Sequence, residues 1–182
     1  VIVYRKQAAN NEAPLRILEG DATEMADPHG IALDMKRNLM IISNHGHRRF
    51  YGGTGVAVNT MKQPWEAWVN RLDDLNSPPR ERLLGAGQFD MPSISIFERG
   101  VSGNTKPLRI IKGPKTQLNW PSHVAVHEER GEIFVANDAD DSVLVFKVTD
   151  SGDVAPTRVV KGVRSAIKNP TGLTVAAKKK ER

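Results

Sequence analysis

The sequence PHGIALD, at Pro28–Asp34, occurs in two further versions along the chain, and this repetition is the strongest indication of its fold. The counterparts are PSHVAVH at Pro121–His127 and PTGLTVA at residues 170–176. The three copies begin 93 and 49 residues apart, and APLRILEG at residues 13–20 recurs with the same offsets. A fixed period of about 20–50 residues is typical of repeat architectures. The sequence therefore predicts a repeat protein with a unit of 49 residues.

The first repeat is longer than the second, and the extra sequence falls in one place. The match between the copies is lost after Asn44 and resumes at Ser93, which leaves 44 residues more than the unit requires. This difference predicts an insertion over residues 47–92, between two strands of the first complete repeat.

Each repeat contains short runs of β-branched and aromatic residues separated by turn-forming residues. In the later repeats these runs are Ile133 to Val135, Val143 to Phe146, Val159 to Val160 and Leu173 to Val175. Such runs are typical of strands, and the intervals are too short for crossover helices. The pattern predicts an all-β protein with four antiparallel strands per repeat, the arrangement found in the blades of a β-propeller.

The repeats resemble those of the NHL-repeat family. The resemblance rests on PHGIALD at Pro28–Asp34, GEIFVAN at residues 131–137 and SVLVF at residues 142–146. It implies a β-propeller in which the strand after the Pro-x-Gly turn lines a central channel. About two full blades plus partial blades are then present, so residues 1–182 are expected to form part of one propeller. We expect further blades, a second copy or another subunit to complete the ring, because a closed propeller needs about four to eight blades.

The composition excludes some classes of protein but does not indicate a particular function. The chain has 182 residues and no cysteine, which excludes disulfides and thiolate metal sites and leaves the redox compartment open. No apolar run reaches the roughly 20 residues of a membrane span, and no signal peptide is visible. The net charge of +5 allows an acidic partner such as RNA, although part of it lies in a basic tail at residues 177–182. The family resemblance favours an extracytoplasmic location.

The insertion contains the residues most suited to contacting a partner. Its middle part, residues 63–76, has apolar side chains at helical spacing and two tryptophans, which predicts an amphipathic helix. A basic and aromatic loop precedes the helix. Either the propeller or a partner protein covers the apolar stripe, and tryptophans are frequent anchors of interfaces. The expected contact residues are Trp65, Trp68, Leu72 and Leu75 on the helix and Arg48, Arg49, Phe50 and Tyr51 on the loop.

Histidines are the candidates for site chemistry. The resemblance extends to amidating lyases with an NHL-like propeller, which hold zinc through a histidine placed like His29. The equivalent positions in the other copies are Ser122 and Thr171, so the pattern is incomplete. A second motif, residues 45–47 (His-Gly-His), lacks a third matching ligand and is interpreted as a polar turn. The sequence therefore predicts no catalytic residue and no cofactor, with His29 as the one metal candidate.

Two further polar groups are interpreted as structural. Residues 138–141 (Asp-Ala-Asp-Asp) lie between two predicted strands, where acidic residues form turns more readily than a calcium site. Asn44 and Asn137 match under the 93-residue offset and are expected to end strands.

These features favour a non-catalytic scaffold that mediates protein–protein interaction as part of a larger propeller or assembly. The alternatives are a metal-dependent propeller enzyme, similar to an amidating lyase or a lactonase, and an RNA-binding propeller.

Overall fold

The structure is a computed structural model, and it describes residues 1–48 and 88–176. Within these ranges the secondary structure is strands joined by short 3₁₀ turns. The strands are β1 (Ile2–Val3), β2 (Arg16–Ile17), β3 (Pro28–Asp34), β4 (Leu39–Asn44), β5 (His47–Arg48), β6 (Gln88–Phe89), β7 (Ser93–Glu98), β8 (Arg109–Lys112), β9 (Pro121–His127), β10 (Glu132–Asn137), β11 (Ser142–Lys147) and β12 (Arg158–Lys161). The 3₁₀ turns are Asp21–Thr23, Pro114–Thr116, Asp138–Asp140 and Val163–Ser165.

The strands form antiparallel sheets, which confirms the prediction of an all-β, antiparallel protein. The first four-stranded sheet has the order β3-β4-β7-β8, and the second has the order β9-β10-β11-β12. A two-stranded sheet, β1-β2, precedes them. In the first sheet β4 pairs directly with β7, although residues 45–92 separate them in sequence.

The chain divides into two compact units. One contains residues 1–46 and the described residues from 91 onward, and it carries both four-stranded sheets. The other is His47–Asp90, of which the structure describes the pairing of β5 with β6. Residues 49–87, with the predicted helix over 63–76, and the basic tail at 177–182 lie outside the described residues.

A hydrophobic core lies between the two four-stranded sheets. The first sheet contributes Ile41, Ile94 and Ile111, and the second contributes Ile133 and Phe146, all fully buried. On strand β4, neighbouring side chains point to opposite faces, so Met40 and Ile42 belong to a second apolar cluster. All six residues of β4 are buried because an apolar cluster covers each of its two faces.

A glycine recurs before three of the 3₁₀ turns for a steric reason. Gly20, Gly113 and Gly162 have φ angles of 119°, 134° and 106°, a region that side chains with a Cβ rarely adopt. At Gly113 a Cβ would also lie 2.5 Å from the Asp153 side chain. The repeated Lys-Gly or Glu-Gly pairs of the sequence therefore correspond to a repeated backbone requirement.

Most of the predicted strands of the later repeats are present, with one exception. The predicted runs lie within β10, β11 and β12, Asn44 and Asn137 end their strands, and residues 138–141 form the expected turn. The predicted strand from Leu173 to Val175 is wrong, because residues 171–176 form no strand. Its counterparts β3 and β9 each pair with the strand that follows them, and the described residues beyond Pro170 include no such partner.

Candidate functional site

A cluster of two histidines and one aspartate lies where β3 begins and β4 ends. Its members are Asp27, His29 and His45, and one potential ligand atom of each lies within 4.8 Å of the others. The Asp27 Oδ2 atom is 3.5 Å from His29 Nε2 and 3.9 Å from His45 Nδ1. The two imidazole rings are stacked, with centroids 3.5 Å apart and planes 12° from parallel. Three side chains with metal-binding donor atoms thus lie close together.

The antiparallel pairing of β3 with β4 brings these residues together. Pro28 pairs with Asn44 and Gly30 with Ser43, so His29 is the extra residue of a β-bulge. A bulge changes the direction in which a side chain points, and bulges are frequent beside functional sites. The N–H of His45 donates a hydrogen bond to the Asp27 carbonyl at 3.0 Å, which ties the residue before β3 to the residue after β4.

Asn44 fixes the end of β4 from inside the protein. Its side chain is fully buried, and its Oδ1 atom accepts a hydrogen bond from the N–H of Ala26 at 3.3 Å. Its Nδ2 atom donates to the Oγ atoms of Ser93 and Ser95 at 3.2 and 3.0 Å. These bonds hold the segment before Asp27 against β4 and β7, so the residue next to Asn44 is placed with little freedom.

Trp120 forms one wall of the cluster. Its ring system is parallel to the His45 ring within 1°, with centroids 5.5 Å apart, and the residue is 51% exposed. In the repeat, Trp120 occupies the position of Asp27 and Asn169, and all three have left-handed φ angles, of 51°, 54° and 40° respectively. Aspartate and asparagine adopt this conformation readily, whereas a bulky residue there is an outlier. Backbone strain of this kind is concentrated at functional sites.

Burial favours the neutral form of His45. The residue is 8% exposed, and its Nε2 atom is buried with no hydrogen-bond partner in the described part of the chain. Burial lowers the pKa of His45, and the neighbouring His29 lowers it further, against the opposing effect of Asp27 and Asp138. A neutral imidazole has a free lone pair, which is the form that binds metals.

The second repeat has different residues at the same positions. Trp120, Ser122 and Asp138 stand where the first repeat has Asp27, His29 and His45. Ser122 also lies at a bulge, and its Oγ atom donates to the Pro170 carbonyl at 2.8 Å. The backbone geometry is therefore repeated, while the two histidines belong to the first repeat.

The structure places His45 of the His-Gly-His motif beside His29 and Asp27 across the β3-β4 pair. The interpretation of the motif as a polar turn stays a prediction. Asp27 was not selected from the sequence. It directly precedes β3, and the start of this strand lies beside the end of its antiparallel neighbour β4, so the pairing of the two strands could have indicated it. Of the expected partner contacts, Arg48 is described through its backbone in β5. Arg49, Phe50, Tyr51, Trp65, Trp68, Leu72 and Leu75 lie outside the described residues.

Neither family models nor curated proteins match this chain. Among the described residues, no helix is long and apolar enough to cross a bilayer.

Proposed function

We propose that the chain is a segment of an NHL-like β-propeller that acts as a non-catalytic binding scaffold, and that further blades of the same repeat type cover its two open sheet faces. In this proposal each four-stranded sheet is one blade, and β3 and β9 are the strands nearest the channel. The observation that carries it is a difference in burial between residues that occupy the same position in successive repeats.

On one side of the pair of sheets, Val160 is uncovered where its counterpart is buried. Ile111 of β8 is fully buried by the second sheet, and the equivalent Val160 of β12 is 48% exposed. Val163, just beyond β12, is fully exposed. Nothing in the described residues occupies the place that the second sheet takes over Ile111.

The opposite side shows the same contrast. Val124 of β9 is 1% exposed because it packs between the sheets, whereas the equivalent Ile31 of β3 is 49% exposed. Leu33, two residues further along β3, is 47% exposed. Each of the two uncovered apolar faces matches a face that is buried in the other repeat. Inside the chain, a neighbouring sheet of the same repeat type covers that face, which supports a further blade of this type as the occupant.

The insertion supports the scaffold role of this proposal. Its tryptophan-bearing segment and the preceding basic and aromatic residues are the part of the first repeat that has no counterpart in the second. In a propeller, sequence that departs from the repeat is the part free to recognise a particular partner. If a partner covers the apolar stripe, replacement of Trp65 and Trp68 with alanine should weaken partner binding while the melting temperature of the chain changes by less than about 3 °C. If the propeller covers it, the same replacement should lower the melting temperature instead.

Ring completion is tested on the natural protein by intact-mass measurement combined with light scattering. The proposal predicts either a polypeptide with additional repeats or an assembly of several copies. A natural polypeptide of 182 residues that stays monomeric at micromolar concentration contradicts it. If the scaffold role is wrong but the propeller is right, the mass result holds and the Trp65→Ala, Trp68→Ala variant retains full partner binding.

A metal-dependent activity is the second candidate, and the cluster of Asp27, His29 and His45 favours it. Two imidazoles and one carboxylate leave coordination positions open for water or substrate. Its test starts from metal binding itself.

A further inference from the structure

We propose that Asp27, His29 and His45 form a binding site for one divalent transition-metal ion of the zinc type. The site lies wholly within the first repeat, so it does not depend on closure of a ring.

The donor set matches the chemistry of zinc. Zinc in proteins is bound by imidazole nitrogen and carboxylate oxygen at about 2.0–2.2 Å, with three protein ligands in sites that keep one position open. Calcium instead takes six to eight oxygen ligands, and magnesium prefers oxygen ligands and retains several waters. Two of the three donors here are nitrogen atoms, so the site discriminates against both hard cations.

The three side chains can share one ion once the His29 ring turns out of its stack on His45, because the lone pair of an imidazole nitrogen lies in the plane of its ring. Two donors on one tetrahedral ion are about 3.3–3.5 Å apart, as follows from the bond lengths above. The present separations all lie within 4.8 Å, so the donors must approach by at most about 1–1.5 Å. The side chains of Asp27 and His29 are 42% and 43% exposed and have room to turn, whereas that of His45 is 11% exposed. His45 is thus a fixed ligand around which the other two can close.

The buried and unpartnered Nε2 atom of His45 is the second observation that indicates a ligand. Buried polar atoms in native proteins almost always have a partner, and leaving one without costs free energy. The neighbouring rings do not supply this partner, because His29 stacks face to face on His45 and Trp120 lies parallel to it. The His45 nitrogen nearest to Asp27 Oδ2 is Nδ1, at 3.9 Å, so an ion that uses the lone pair of Nε2 requires the Asp27 side chain to turn toward that atom.

The backbone around the cluster is fixed in the way that a preformed site requires. His29 is held in a bulge, His45 follows the buried Asn44, and the N–H of His45 is bound to the carbonyl of Asp27. The three ligands therefore come from two adjacent strand ends and not from a long loop. Metal binding then requires rotation of two side chains and little ordering of the backbone.

The test uses the full chain, stripped with a chelator and titrated with Zn²⁺ alone by isothermal titration calorimetry. We expect one Zn²⁺ per chain, a higher melting temperature with zinc, and no comparable effect of Ca²⁺ or Mg²⁺. With Co²⁺ as a spectroscopic probe, we expect visible absorption of the intensity typical of four or five ligands. Absence of zinc binding to the unmodified chain overturns the proposal.

Variants identify the ligands. His29→Ala and Asp27→Asn change exposed side chains, so the fold should survive, and each should weaken Zn²⁺ binding at least about 100-fold, since even loss of a residue that only supports a ligand costs about 10–100-fold. His45→Ala should do the same, and circular dichroism then separates loss of a ligand from loss of the fold. Zinc affinity that is unchanged in His29→Ala and Asp27→Asn overturns the proposal.

Two histidine variants serve as controls. His127 lies at the opposite end of β9 from Pro121. The zinc affinity of the His127→Ala variant should therefore equal that of the unmodified chain. His47→Ala tests whether the His-Gly-His sequence chelates the ion by itself. If zinc binding is lost in His47→Ala and retained in His29→Ala, the ion is held by residues 45–47 and the proposed three-residue site is wrong.

Discussion

At the scale of single residues, Gly30 is a position where the two four-stranded sheets lie close together. A Cβ at Gly30 would lie 2.7 Å from the Cα of His123 and 2.9 Å from the backbone nitrogen of Val124. Gly30→Ala is therefore expected to destabilise the protein by about 1–3 kcal/mol, as overpacking usually does, because backbone atoms cannot move aside cheaply. Urea unfolding of the variant measures this loss.

The same repeat position supplies the control for this prediction. Gly172 is the counterpart of Gly30 and has no heavy atom within 4 Å of an added Cβ. Gly172→Ala should leave the free energy of unfolding within about 0.5 kcal/mol of the unmodified chain. Equal effects of the two substitutions would contradict the close approach of the sheets at Gly30.

Glu132 is a carboxylate whose ionisation contributes to stability. Burial is the largest single influence on its pKa and raises it, but the hydrogen bond from Lys147 and the charges of Arg158 and Lys147 outweigh it, so the pKa is lowered from 4.5. Because the folded pKa is below the unfolded one, the stabilisation is present above about pH 4.5 and is lost as the pH falls through the folded pKa. Glu132→Gln should be less stable than the unmodified chain at pH 7.

This difference should shrink below pH 4.5, where the carboxylate of the unmodified chain takes up a proton. Chemical unfolding at pH 7.0 and pH 3.5 measures both values. If the difference in unfolding free energy between the two proteins is the same at both pH values, the ion pairs of Glu132 with Lys147 and Arg158 do not contribute to stability.

The sequence predicted the site in part, and the reason lies in where its residues stand. His29 could be selected because it follows the proline of a repeated motif. Asp27 could not be recognised in the same way, since Trp120 and Asn169 occupy its place in the other repeats. What the three share is a left-handed backbone conformation, which is not a property that a residue name displays. The stacking of Trp120 on His45 likewise depends on the packing of two repeats.

At the scale of strands, the alternation of apolar residues was enough to predict β10, β11 and β12. Each of these strands has neighbours whose hydrogen bonds stabilise it. The apolar run from Leu173 to Val175 has the same composition and forms no strand, because strand formation depends on a partner as well as on residue type. Composition therefore predicts the capacity to form a strand, while pairing decides whether it forms.

Strands β8 and β12 provide a matched test of what neighbouring sheets contribute. Ile111 is fully buried, so Ile111→Ala should destabilise the chain by about 2–5 kcal/mol, through lost apolar contact and the cavity left behind. Its counterpart Val160 is 48% exposed, and Val160→Ala should cost less than about 1 kcal/mol. Thermal and urea unfolding of both variants give the comparison.

The contrast between the two variants is the informative quantity. If Val160→Ala costs as much as Ile111→Ala in the 182-residue chain, the face beside β12 is already covered in solution, and a second copy of the chain is the occupant to look for. Sedimentation at several concentrations identifies that association directly.

At the scale of the whole molecule, each sheet has to cover the apolar face of its neighbour. At β4 the first sheet is covered on both faces, so every residue of this strand is buried, whereas β3 at its edge keeps one face open. The second sheet has a polar group on its outer face, where Glu132 replaces the buried Leu39 of the first repeat. Arg158, which pairs with Glu132, lies over the Phe134 ring at 5.5 Å. Long charged side chains can cover apolar surface in this way, so this face is only partly open.

The opposite outer face, at β3 of the first sheet, has no such polar cover. This face gives the clearest test of ring completion. Ile31 is 49% exposed, so Ile31→Thr should change the melting temperature of the 182-residue chain by less than about 2 °C, because threonine retains the β-branched shape that suits a strand. Val124 occupies the same position of the second repeat and is 1% exposed. Val124→Thr should therefore destabilise the chain by about 1–3 kcal/mol, the cost of burying a hydroxyl group without a partner.

In the natural protein the two substitutions should behave alike. If a further blade covers β3 there, Ile31 is as buried as Val124, and Ile31→Thr then lowers the melting temperature by a similar amount or weakens assembly. Differential scanning calorimetry of the natural protein and of the 182-residue chain, each with both variants, measures the comparison. An Ile31→Thr variant that is silent in both settings would mean that no blade covers this face, since a buried hydroxyl group cannot be neutral in one repeat and costly in the other.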